Sequence, residues 1–281
     1  MSYQFCDFSE EDKDQLKQVF ETPFKIDESG FLKICNGYKI FKEDFAYQGD
    51  AKEQKEELKL VTIERNEILP KTDHEGFIKK YESKEYRVGI DLPILLRPEK
   101  PNGKTIFFVA EDPLRNFDCD NVILATPFGV HVKYSREKTI KKVYWQVMGN
   151  LLDKGYSVYV TDTFKIWVSE NGKKKKEMIP NDLFQHFTSS LQKEIDWLKP
   201  NLIVCYGNPA YRAVCEVAKN HKGQILHFPH PAAWADDWKK EFKNNSRATH
   251  ENKIKHINTK IENTLSMLSF HRSTLSRKVC N

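Results

Sequence analysis

Four short apolar runs constrain this chain more than any other feature. They are Thr-Ile-Phe-Phe-Val-Ala at 105–110, Ser-Val-Tyr-Val-Thr at 157–161, Leu-Ile-Val-Cys-Tyr at 202–206 and Gln-Ile-Leu-His-Phe at 224–228. Runs this short, rich in β-branched and aromatic residues, suit strands covered on both faces. Helical periodicity fills the gaps between them. Ile140, Val143, Tyr144, Val147 and Leu151 share one helix face, as do Phe184, Phe187, Leu191, Ile195 and Leu198 behind a polar start at Asn181 and Asp182. Asn208 followed by Pro209 reads as an N-cap and a first-turn proline, and Ile254, Ile257, Ile261, Leu265 and Leu268 mark a last helix. Strand alternating with helix predicts an α/β fold with a central four-stranded parallel sheet and helices on both faces.

The first hundred residues are less legible. Residues 10–20 and 51–60 read as helices, 75–81 as a short helix and 31–41 as a strand pair, while Pro93, Pro98 and Pro101 suggest an extended connector. This gives an N-terminal α+β extension over 1–100 and an α/β domain over 101–281. The extension either packs on the sheet or forms a separate module.

Composition narrows the class. The 281 residues suffice for a well-buried core. No apolar run reaches the roughly eighteen residues of a membrane span, and the acidic, polar start does not read as a signal peptide. The six cysteines form no Cys-x-x-Cys pair, so neither a zinc site nor an iron–sulfur cluster is expected. Cys205 and Cys215 fall in apolar runs and read as core packing, and a reducing cytoplasm is the expected compartment. The formal net charge of +5 permits a polyanionic partner without requiring one. Its basic residues concentrate in the loop 173–176 and in the C-terminal third, where a solvated surface accounts for them equally well.

An open parallel sheet binds ligands beyond the carboxyl ends of its strands. The residues there are Glu111-Asp112-Pro113-Leu114-Arg115-Asn116, Asp162-Thr163-Phe164-Lys165, Gly207-Asn208-Pro209 and Pro229-His230-Pro231-Ala232-Ala233-Trp234. In this order they resemble the motifs of the uracil-DNA glycosylase superfamily, over residues 104–238. Ala110-Glu111-Asp112-Pro113-Leu114-Arg115 is similar to the water-activating motif, Gly-Gln-Asp-Pro-Tyr-His in one branch and Gly-Glu-(Ala/Gly)-Pro-Gly in another. Asp112 matches the acid of the first branch and Glu111 that of the second. Pro127-Phe128-Gly129 resembles the segment whose Phe stacks on the extruded base. Asp162 falls where the family carries its base-reading Asn, and His230-Pro231-Ala232 resembles the His-Pro-Ser motif, with Trp234 in the intercalation loop.

The resemblance implies a monofunctional DNA glycosylase, a monomer acting on a nucleotide flipped from double- or single-stranded DNA, with no cofactor and no metal. Asp112, with Glu111 second, would orient water and stabilise the oxocarbenium-like sugar. His230 would donate to the base O2, where negative charge develops. Phe128 would be the stacking platform and Trp234 the wedge. Arg115, Lys165 and the 173–176 loop would meet phosphates. Each residue has a plainer reading: turn capping or pairing with Arg115 for the acids, a backbone-bonded loop histidine, core packing for the aromatics.

The departures from the family bear on substrate. An Asn suits uracil, whereas an ionised Asp162 offers only acceptors, which suit the exocyclic amino group of cytosine. Leu114 replaces the Tyr that blocks C5 substituents in the first branch. Together they suggest a C5-modified cytosine, such as occurs in some bacterial viruses, and hence a defence role. Ordinary uracil removal in repair, a non-catalytic DNA binder of the same fold, and an unrelated doubly wound nucleotide or sugar enzyme remain as alternatives. No Gly-rich phosphate loop supports the last.

Overall fold

A computed structural model describes residues 3–111, 113, 119–173, 175–219, 221, 223–242 and 247–278, with backbone alone over 269–278. The N-terminal part runs β1 (Gln4–Phe5), α1 (Glu10–Glu21), β2 (Phe24–Ile26), α2 (Glu28–Ala46), α3 (Ala51–Glu57), β3 (Val61–Ile63), β4 (Ile68–Pro70), α4 (Glu75–Glu82), β5 (Tyr86–Asp91) and β6 (Ile94–Arg97). There follow β7 (Thr105–Ala110), β8 (Val122–Ala125), α5 (Lys133–Lys138), α6 (Lys142–Asp153), β9 (Ser157–Asp162), β10 (Ile166–Glu170), α7 (Asn181–Leu198), β11 (Leu202–Tyr206), α8 (Asn208–Val217), β12 (Gln224–Phe228), α9 (Ala235–Phe242) and α10 (His250–Lys278). Among the described residues no helix is long and apolar enough to cross a membrane.

The four expected strands form the core of the main sheet. β9, β7, β11 and β12 lie side by side in that order, all parallel. The fold is thus α/β with a parallel central sheet and an N-terminal extension. The sheet is wider than expected, because β6 pairs antiparallel with β9 and β1 with β6. The proline-flanked stretch expected as a connector therefore supplies a buried strand. Pro93 and Pro98 bracket it without interrupting its ladder, since a proline outside the paired residues removes no ladder donor.

Strand alternation sorts the core into two faces. Phe107, Val109, Tyr159, Ile203 and Cys205 pack with Leu191 and Ile195 of α7 and Ala213 and Val214 of α8. Ile106, Phe108, Val158, Val160, Val204 and Tyr206 point the other way, into a cluster with α6 and α10. By the same alternation Asp162 belongs to the α6 face. A second sheet, ordered β10, β5, β8, β3, carries β8 to the start of the Pro127-Phe128-Gly129 turn.

Three local expectations fail for identifiable reasons. Residues 31–41 lie within α2, not in a strand pair. The Asp27 carboxylate caps that helix by accepting from the Gly30 N–H at 2.8 Å, and Phe31, Ile34, Tyr38 and Phe41 form its buried stripe. The N-cap of α8 is Gly207, one residue earlier than Asn208, at φ 88°, a conformation that favours glycine. Cys215 is exposed on α8, whereas Cys205 is buried as expected.

Lys165 is also not where a phosphate could meet it. Its side chain is 1% exposed and its Nζ lies 2.9 Å from Glu194 Oε2 of α7, itself at 0%. The same Nζ donates to Thr161 Oγ1 at 2.7 Å and to the Asp162 carbonyl at 3.2 Å. Tyr159 and Thr161 donate to the other Glu194 oxygen at 2.8 and 2.9 Å. A buried pair is tolerable only when its remaining polar valences are met, as these are. The network pins the carboxyl end of β9 to α7, so Lys165 fixes where Asp162 sits. Lys165→Met or Glu194→Gln should each cost about 3–5 kcal/mol in urea denaturation, because either leaves a charge buried without its counterion. Losses below about 1 kcal/mol, the worth of an exposed pair, would contradict this account.

Candidate active site

The carboxyl ends of β7, β9, β11 and β12 share one edge of the sheet because the strands are parallel. The turn after β8 reaches the same edge. Four side chains from these separate segments lie about one residue of α6, Tyr144.

Phe128 comes first. It holds φ 59° and ψ 4°, a left-handed conformation costly for a residue with a Cβ, and such strain gathers at functional sites. Its ring lies against the Tyr144 ring with centroids 3.6 Å apart and planes 9° from parallel. Tyr206, at the end of β11, meets Tyr144 edge-on at 4.9 Å and Phe128 at 6.2 Å. The Tyr206 hydroxyl is buried and has no hydrogen-bond partner among the described residues.

His230 follows β12 in an exposed loop, but its Nε2 edge turns inward, 2.6 Å from the Tyr144 hydroxyl. Nδ1 lies 3.1 Å from the Ala232 backbone N–H, which can only donate. Nδ1 therefore carries no proton, and the neutral ring holds its proton on Nε2. Nε2–H donates to the tyrosine oxygen. Burial depresses the His230 pKa, with Lys253 adding to the depression and the Glu111 carboxylate opposing it. The loop is anchored from two helices. Trp238 of α9, fully buried, donates its Nε1–H to the His230 carbonyl at 3.1 Å. Lys253 of α10 donates to the Pro231 carbonyl at 2.7 Å and lies over the Trp238 ring.

Asp162 ends β9 and is 3% exposed. Burial, then the nearby Tyr206 and Asp162, oppose ionisation of the Tyr144 phenol and hold its pKa well above the ordinary value. Glu111, just beyond β7, is paired with Lys176 of the basic loop at 2.6 Å. Trp234 is 85% exposed, ahead of α9. Asp112, Leu114 and Arg115 lie outside the described residues.

Of the residues singled out in the sequence, Phe128, Asp162 and His230 converge on Tyr144, and Glu111 lies near enough to act on His230. Lys165 is sealed beneath the sheet edge. His131 is buried against Thr126 and Phe41, a structural placement. His227 stacks on Tyr211. Tyr144, Trp238 and Lys253 carried no functional signal in the sequence. The first reads as one more apolar position of α6, and the other two as part of an amphipathic, basic C-terminal third. Among the described residues no three His, Cys, Asp or Glu side chains are grouped to hold a metal ion.

A sequence model described as the Uracil DNA glycosylase superfamily matches residues 99–255, which span the four parallel strands and every segment of the site. No curated protein matches the chain.

The histidine tautomer is testable. Because the folded pKa lies below the ordinary value of about 6.5, His230 should stay neutral through that pH and protonate only beneath it. Its contribution to stability is then complete above the ordinary value and lost as pH falls through the depressed one, where a proton on Nδ1 displaces the Ala232 N–H. An NMR titration should give a His230 midpoint below that of an unstructured histidine peptide. A midpoint at or above it would contradict the depression by burial, and ring 15N shifts that place the neutral proton on Nδ1 would refute the Nε2–H assignment.

Proposed function

The chain belongs to the uracil DNA glycosylase superfamily, a family of hydrolases that act on DNA, and from that membership we propose that it removes a cytosine-type base from a flipped nucleotide and leaves an abasic site. The observation that carries the proposal is the convergence at one sheet edge of an aromatic platform, Phe128, a neutral imidazole with its N–H turned inward, His230, and a buried carboxylate, Asp162.

The chemistry follows from charge. As the bond between C1′ and N1 breaks, its electron pair leaves with the base and C1′ becomes oxocarbenium-like. Asp112 orients a water whose oxygen bonds to C1′ and takes up its proton. Glu111 is the weaker candidate for that role, since Lys176 already engages its carboxylate. His230 donates Nε2–H to the base O2, where the negative charge settles; a neutral donor stabilises that charge without surrendering its proton. Phe128 stacks on the base. Trp234, largely solvent-exposed beside this edge, fills the vacated stack. Arg115 and the 173–176 loop remain candidates for phosphate contact.

Base choice rests on Asp162. A carboxylate accepts from the N4 amino group of cytosine and offers nothing to the O4 of uracil. With Leu114 in place of a C5-blocking tyrosine, the proposed substrate is a C5-modified cytosine, as in some bacterial-virus genomes, which makes defence in the cytoplasm the proposed setting. A panel of oligonucleotides carrying uracil, cytosine, 5-methylcytosine, 5-hydroxymethylcytosine and its glucosylated form, scored for abasic sites, tests this directly. Excision of uracil alone would end the cytosine reading. Asp112→Asn should lower turnover by at least about a hundredfold while retaining DNA binding. Asp162→Asn should move preference towards uracil, and an unchanged preference would remove Asp162 from base reading.

A further inference from the structure

We propose that Tyr144 occupies the slot of the flipped base, so that the pocket is closed by its own side chain and a nucleotide must displace the phenol to bind. The inference rests on the assignment of Phe128, His230 and Asp162 as the base-contacting groups. A pyrimidine held by them has three requirements: a flat ring on Phe128, an oxygen at His230 Nε2–H, and a polar edge towards Asp162. Tyr144 meets the first two and lies within electrostatic reach of the third. Its ring lies 3.6 Å from Phe128 at 9°, closer than the 4.5–7 Å usual between aromatic side chains. Its oxygen is 2.6 Å from His230 Nε2, and Asp162, buried at the end of β9, lies on the sheet face that packs against α6. Tyr206 closes a further side edge-on. Two rings cannot share this space, because a base on that face of Phe128 with its oxygen at Nε2 would overlap the phenol.

The local structure permits displacement. Tyr144 sits in the first turn of α6, which no side chain caps and which lacks acidic residues. Lys141 and Lys142 stand at that end, where the helix dipole disfavours positive charge. The first turn, which carries the plug, therefore lacks side-chain capping and favourable dipole charge.

A plug of this kind raises the threshold for every base alike. Apparent affinity falls by the fraction of molecules with an open slot, so a pocket open about 1% of the time binds about a hundredfold more weakly than its open form. A base that contributes ring contacts alone merely exchanges one flat ring for another. A base with a C5 substituent adds contacts outside the slot, which Tyr144 cannot match. Tyr144 thus sets the binding free energy that any base must supply before it enters the slot.

The test compares binding of two duplexes that differ at one position. One carries cytosine, 5-hydroxymethylcytosine or uracil there, in separate arms, opposite an abasic analogue; the other carries the tetrahydrofuran abasic analogue on both strands. Tyr144→Ala should tighten binding of a base-containing duplex at least tenfold over the wild type and leave the base-free duplex unchanged. Tyr144→Phe keeps the ring and removes the contact to His230. It should give a smaller gain, about fivefold, the worth of one hydrogen bond, and serves as the readout should the alanine variant fail to fold. Equal binding of base-containing duplexes by the wild type and the folded variants, or a parallel loss on both duplexes, overturns the inference. Abasic-site formation is scored separately. Base-dependent tightening without excision upholds the plug while counting against the glycosylase reading, and excision with no effect at Tyr144 does the reverse.

Discussion

Parallel alignment of β9, β7, β11 and β12 is the constraint on which the rest depends. Strands that run the same way deliver their carboxyl ends to one edge, and the residues that follow them must meet there whatever their separation in sequence. Alternation then decides which face each side chain uses. Asp162 and Tyr206 fall on the same side as Phe108 and so face α6, while Thr161 and Tyr159 fall on the other side and meet Glu194 of α7. One strand end thereby supplies a buried carboxylate to one face and a structural network to the opposite one.

That division explains how a polar site is held in an apolar setting. Lys165 and Glu194 are charged and buried, yet the ammonium group makes three hydrogen bonds and both carboxylate oxygens accept, so they fix the end of β9. On the far side of the sheet, His230 is fixed by a different means. The Ala232 N–H sets its tautomer, while Trp238 and Lys253 hold its backbone from two helices. The donor at Nε2 is preorganised before any ligand arrives, which is the condition for stabilising developing charge without reorganisation.

Much of this framework was legible in the sequence. The runs at 105–110 and 202–206 coincide with strands buried on both faces, as short β-branched and aromatic segments favour, and the run at 224–228 coincides with the half-buried edge strand. The α2 region misled because Phe31, Ile34, Tyr38 and Phe41 are β-prone by type, while their helical spacing and the Asp27 cap settle the structure. The strand β6 was hidden by its flanking prolines, and its place depends on pairing with β9, more than sixty residues away in the chain.

The sequence by itself determined which residues end the parallel strands, and with them the family and the acidic, imidazole and aromatic side chains available for chemistry. Local propensity and hydrophobic period encode that much. Only the tertiary structure decided that Lys165 is sealed inside the protein, that His230 bears its proton on Nε2, and that Tyr144, one apolar-face residue of a helix among several, is enclosed by Phe128, Tyr206 and His230. Each of these depends on which atoms from distant segments come within a few ångströms of one another, and no periodicity along the chain records such a meeting.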